Sequence, residues 1–440
     1  MKLRSLMIAA LVLVVLAGVL YWSGHHKSST EAGASTVSPQ ILKLDPASIT
    51  GLTVRRKGEQ PVTLVKSGAS QWEITEPRPL GADQTNVSGI VNTISSLDSE
   101  RVVESGSADL KSFGLDSPSV EVDVLEIDHK SQHLLLGDAT PTGDAIYAMV
   151  EGDPRVFTTY SYYKTSLDKG LTDLRDKRLI PVAPAQITEL ELARKGMDVT
   201  FGRDTNGWQI VKPSPLRADS SQVDQLVSSL TGPTMNLGAA GSARGHSENN
   251  LDSSFASAAP VATVTVTDSS GTQTLEVRKA KDTYYAKSSA VEGVYQTTTD
   301  LGEALDKSVD SFRNKKLFDF IYEEPNKIDL HSGTSSWSFT RNGDDWWSNG
   351  KRMDPDTIDA LVSKLRDLTA DSFVSSGFTA PDLSVTVTSN EGKHTETVQI
   401  AKAAHECIAR RANEPSLYRL DAGALDDLTK AAAAIQPAKK

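Results

Sequence analysis

Apolar residues fall at the same intervals three times along this chain. Counting from Asp83, positions +4, +7, +8 and +11 are Val87, Ile90, Val91 and Ile94. The same offsets give Val223, Leu226, Val227 and Leu230 from Asp219, and Ile358, Leu361, Val362 and Leu365 from Asp354. This spacing puts the apolar side chains on one face of an α-helix, with the aspartate as N-cap for the unpaired amides of the first turn. It predicts amphipathic helices near 83–97, 219–231 and 354–369.

Before each helix the period changes to two. Leu52, Val54, Val62, Leu64, Trp72 and Ile74 alternate about turns at Lys57-Gly58 and Ser67-Gly68. Leu190, Leu192, Val199, Phe201, Trp208 and Ile210 repeat the pattern, as do Ile328, Leu330, Trp337, Phe339, Trp346 and Trp347. Each set reads as a three-stranded antiparallel meander with tryptophan as a core anchor. After each helix, turns containing Pro118, Pro260 and Pro381 open a second antiparallel set at Val120, Val264 and Val385. In the middle copy, 232–249 reads as a flexible insertion. The first two copies close on Leu174-Arg175-Asp176-Lys177-Arg178-Leu179 and Phe312-Arg313-Asn314-Lys315-Lys316-Leu317. The third closes on a short helix from Leu425 to Ile435, as a terminal cap would.

The amino terminus adds a different signal. Leu6 to Trp22 is an apolar run behind Lys2 and Arg4, which predicts a signal anchor over 1–27 with its amino end in the cytoplasm. A cleaved signal peptide is the rival, but Tyr21, Trp22, His25 and His26 are bulky where cleavage favours small residues. Residues 28–39, rich in Ser, Thr, Ala and Gly, read as a tether. The expected fold class is therefore α+β: an N-terminal transmembrane helix followed by three tandem repeats. The repeats lie at 40–182, 183–320 and 321–440, each an antiparallel β-meander, an amphipathic helix and a second antiparallel β-set. The expected location is the cytoplasmic (inner) membrane, single-pass, with the bulk of the chain periplasmic and the lipid bilayer met only through the N-terminal helix.

Composition narrows the function. At 440 residues, several cores are expected. A net charge of −11 offers no broad basic surface, so nucleic acid is not an expected partner. Cys407 is the single cysteine, so no intramolecular disulfide or thiolate cluster forms. His129 and His133 fall in an expected hairpin, His405 and Cys407 on a strand without an orienting third group, and each reads as surface or packing. The acid pairs Glu323-Glu324, Asp344-Asp345 and Asp426-Asp427 point in divergent directions. No nucleophile elbow, phosphate-cradling loop or dinucleotide fingerprint is present in the sequence. The reading is non-enzymatic, with no catalytic, cofactor or metal residues. The recurring basic residues Arg175, Lys177, Arg178 and Arg313, Lys315, Lys316 read as inter-repeat contacts, or as contacts to a partner.

The Gly114-Leu115-Asp116-Ser117-Pro118 turn, the strand at Val120, Val122 and Val124, the Leu136-Gly137-Asp138 turn, the strand around Tyr147 and the close at Leu174–Lys177 carry a resemblance. They resemble a bacterial family of unknown function, anchored by one amino-terminal helix and often encoded beside gliding-motility-type ABC export systems. The resemblance implies an extracytoplasmic scaffold or accessory subunit of an ABC-type transport system, with the transporter's membrane subunits as partners. A binding module for a cell-envelope polymer or ligand is the alternative.

Overall fold

The computed structural model describes residues 40–439 apart from 69–70, 107–108, 238–247 and 321–323. The anchor expected at 1–27, the tether at 28–39 and most of the insertion at 232–249 lie outside the described residues. Among the described residues no helix is long and apolar enough to cross a membrane.

The α+β expectation is corrected: the described residues are mostly β-sheet, 46% strand against 22% helix, in three nine-stranded sheets. The meander before the helix and the second set after it are joined in one sheet in each repeat. The first sheet runs Leu80–Gly81, Gln71–Glu76, Val62–Ser67, Ile49–Arg56, Val120–Glu126, Ser131–Ala139, Ala145–Val150, Val156–Tyr160, Arg101–Glu104, every pair antiparallel. Ile49–Arg56 is the seam: Leu52 stands opposite Leu64 on one side and Val124 on the other. Alternation specifies the two faces of a strand but not what joins its two hydrogen-bonding edges, so the seam left no mark in the sequence.

The second sheet repeats this order from Leu216–Arg217 to Met235–Asn236 with its seam at Glu189–Arg194, where Leu192 faces Val199 and Val264. The third runs from Lys351–Arg352 to Ser372–Val374 with its seam at Pro325–Ser332, where Leu330 faces Trp337 and Val385. In all three, the outermost strands are short, which limits the free edge available for pairing with other chains.

Between the two halves of each sheet, one helix lies across a face: Gln84–Ser95, Ser220–Thr231 and Pro355–Asp367. Asp83 accepts the Thr85 and Asn86 amides at 3.0 Å; Asp219 and Asp354 cap their helices likewise. The first helix carries Gly89 and several β-branched residues, a poor sequence for an isolated helix. Packing decides instead: Val87, Ile90, Val91 and Ile94 are buried, at roughly 1.5–3 kcal/mol each. Each repeat has its own core, with Trp72, Trp208 and Trp346 buried in turn.

The closing helix, expected only in the third copy, is present in all. Ser161–Leu167, Thr299–Leu305 and Ala424–Ala433 each pack on the crossing helix of their own repeat. The first two, of seven residues, are too short to show a helical period. Glu248–Ser257, which begins at the end of the stretch expected as a flexible insertion, is also helical. The first repeat forms one compact unit ending at Asp176; the second and third together form another, starting at Lys177.

Candidate functional site at the joint of the second and third repeats

The recurring basic segments turn out to be backbone straps. In the first repeat Asp83 donates its amide to the Leu174 carbonyl at 2.7 Å, Asp176 donates to Gly81 at 2.9 Å, and Arg175, itself buried, bridges Ala82. In the second, Asp219 donates to Phe312 at 2.8 Å, Asn314 donates to Arg217 at 3.0 Å, and Arg313 bridges Ala218. The third uses its carboxyl end: Asp354 donates to Gln436 at 2.8 Å and Met353 bridges Pro437. Each outgoing strap therefore fixes the residues leading into a helix N-cap.

Directly behind the first two straps the chain pairs again, as an incoming strap just beyond a helix of the next repeat. Lys177 accepts the Met235 amide at 3.0 Å and Arg178 bridges Pro233. Lys315 accepts the Ala370 amide at 2.9 Å and Lys316 bridges Thr369. In the first repeat Gln40–Lys43 does this against Ser96–Asp98. The segment recurs because its backbone pairs, with its side chains partly reused: the Lys315 ammonium donates to the Asp371 carbonyl at 2.9 Å. Arg313 donates to the Ser416 hydroxyl at 2.8 Å and stacks 3.4 Å from the Phe373 ring.

Next to these straps lies a half-buried ionic cluster that sequence inspection missed: Arg217, Asp319, Glu396, Arg411, Glu414 and Tyr418. Arg411 donates to the Leu317 carbonyl at 2.8 Å and to Glu396 at 3.0 Å, and pairs with Glu414 at 2.7 Å and Asp319 at 3.2 Å. Arg217 reaches in from the second repeat, donating to the Lys316 carbonyl at 2.8 Å and pairing with Asp319, while Glu414 stands 3.6 Å away. Glu396 accepts the Asp319 amide at 2.8 Å, and the Tyr418 hydroxyl donates to Glu414 at 2.7 Å.

Burial pushes the Glu396 carboxyl above its ordinary value, against the opposing pull of the Asp319 amide and Arg411. Burial, helped by Glu414, pushes the Tyr418 phenol up to about 12. Burial works against the charge on Arg217, yet Asp319, Tyr418 and Glu414 hold its guanidinium above the ordinary value. These groups are mutually paired acids and bases that bind the third repeat to the second.

The second repeat has the same location without the ions. Ser288 stands where Arg411 stands, and its hydroxyl donates to the Leu179 carbonyl at 2.6 Å, as Arg411 does to Leu317. Gln273 replaces Glu396, and Pro181 replaces Asp319. Proline has no amide to donate, and the buried Gln273 side-chain oxygen is left without a hydrogen bond.

The other candidates are scattered. His129, with φ of 63°, is exposed in a hairpin turn; His133 meets Asp123 and stands 3.7 Å from Glu121. His394 begins a strand, His405 is exposed in a turn, and Cys407 is fully buried with its thiol 3.5 Å from the Ala422 carbonyl. Among the described residues no group of three or more His, Cys, Asp or Glu is arranged to hold a metal ion. A cleft of about 290 Å³ between Ser220–Thr231 and Thr299–Leu305 is lined by Gln225, Ser229, Asp300, Glu303, Lys307 and Phe312.

A family model described as "Domain of unknown function (DUF4340)" matches the chain twice, over residues 72–232 and 208–386. The matches start at Trp72 and Trp208, separated by the same interval as Asp83 and Asp219, so the matched span follows the structural repeat. No curated protein and no solved structure matches the chain.

Proposed function

Since the chain belongs to the DUF4340 family, a domain of unknown function, we propose its role from its own geometry. It is a non-enzymatic extracytoplasmic scaffold or accessory subunit of an ABC-type export system, held to the cytoplasmic membrane by residues 1–27. The observation that supports this reading is the ionic joint of Arg217, Arg411, Asp319, Glu396 and Glu414. Buried ion pairs add little stability over apolar packing of the same volume, and their best-attested use is to specify one arrangement. A protein whose polar investment goes into fixing one sheet against the next is suited to hold partners at set positions. The transporter itself enters through the resemblance of the turn motifs to export-linked proteins.

The test is co-purification from membranes. The full chain should retain transporter membrane subunits, whereas a form lacking residues 1–27, exported behind a cleavable signal, should be released folded and without them. Capture of those subunits by neither form would remove the scaffold reading. The binding-module alternative is supported by the cleft at Asp300 and Glu303. A thermal shift with cell-envelope oligosaccharides that disappears on Glu303→Gln would favour it.

A further inference from the structure

We propose that Tyr160 and Tyr162 form a contact for the headgroup layer of the bilayer, beside the point where the chain arrives from its amino-terminal segment; this rests on the anchored reading above. Gln40 pairs in register with Asp98. Asp98 also ties down the aromatic cluster: its carbonyl accepts the Thr159 hydroxyl at 2.7 Å, and its backbone meets the Tyr163 phenol. The strand Val156–Tyr160 then passes directly into the helix Ser161–Leu167, which sets Tyr160, Tyr162 and Tyr163 against one another.

Tyr163 is the buried foot of this cluster, while Tyr160 and Tyr162 remain 45% and 57% exposed. The Tyr160 and Tyr162 rings stack at 5.7 Å, and Tyr162 leans on Tyr163 at 4.2 Å, so the exposed rings are braced from below. A rigid ring with a polar tip suits the membrane interface, where the ring enters the apolar boundary and the hydroxyl stays with the headgroups. Only residues 23–39 separate the expected anchor from Gln40, and that short stretch of chain limits how far Gln40 and its neighbours can stand from the bilayer. The exposed Val65, Leu125 and Ile127 stand at the other end of the sheet, beside the start of Ile49–Arg56, and do not share this placement.

The full chain carries the test. Thr165, exposed one helical turn beyond Tyr162, is changed to cysteine and labelled with an environment-sensitive fluorophore; buried Cys407 stays in place. A Lys130→Cys label, exposed in the hairpin between Val120–Glu126 and Ser131–Ala139 at the other end of the same sheet, is the reference. In phosphatidylcholine–phosphatidylglycerol vesicles bearing headgroup nitroxides, quenching at 165 should exceed that at 130 by about twofold or more. It should fall to the reference level in the Tyr160→Ser/Tyr162→Ser double variant. Equal quenching at the two sites, or quenching at 165 that survives the double variant, overturns the contact while leaving the anchor standing. Failure of the chain to float with the vesicles overturns the anchored reading, and this inference with it.

Discussion

Replacing Arg411 by methionine removes a side chain that touches Leu317, Asp319, Glu396 and Glu414 at once. Its Glu396 partner keeps only 4% of its side chain exposed, so the loss leaves a buried carboxylate without its cation. Breaking such a pair costs about 3–5 kcal/mol. The Asp319 contribution is discounted, because that side chain is 35% exposed and solvent-screened pairs are worth about 0–1 kcal/mol. The effect should be local and visible by hydrogen exchange: amides of 394–402 and 407–411 should exchange roughly 100- to 4,000-fold faster, and the first repeat should be unchanged.

The penalty should also depend on pH. Burial raises Glu396 in the folded state above the ordinary 4.5, so the folded chain holds this proton more tightly than the unfolded one. That contribution is complete below the unfolded value and is lost as pH rises through the folded one. Without Arg411 the upward shift is larger, so Arg411→Met should cost more at about pH 8 than at about pH 5. A loss below about 1 kcal/mol, or the same loss at both pH values, would refute the assignment of Arg411 as the cation of the joint.

Gln273→Met should leave stability unchanged or raise it by up to about 1 kcal/mol, since its side-chain oxygen is unsatisfied, whereas Glu396→Met should cost about 3 kcal/mol. Urea midpoints compare the two, and a marked loss for Gln273→Met would contradict the proline explanation. Asp219→Ala should cost about 1 kcal/mol through its lost cap, with Asp219→Asn recovering most of it in thermal melts. Cys407→Ala and His133→Ala should each leave export-linked phenotypes intact, with Cys407→Ala losing about 1 kcal/mol from its buried site. Loss of phenotype in a folded variant of either kind would displace the non-enzymatic reading.

The sequence by itself determined the local elements. Aspartates at 83, 219 and 354 with a four-residue apolar stripe defined three helices, and the alternating residues from Leu52, Leu190 and Ile328 defined strands, because capping and burial periodicity are written within one or two dozen residues. The tertiary structure decided how those strands join. Leu52 faces Leu64 and Val124 alike, and nothing in a strand's alternation says which neighbour takes its second edge. It also decided the joint: the basic runs at 175–178 and 313–316 were legible as recurring, but their recurrence reflects backbone pairing. Arg217 finds Asp319 across 102 residues and carries no local pattern. Ionic partners this distant in the chain are brought together by the packing of one sheet on the next, so only the folded chain reveals them.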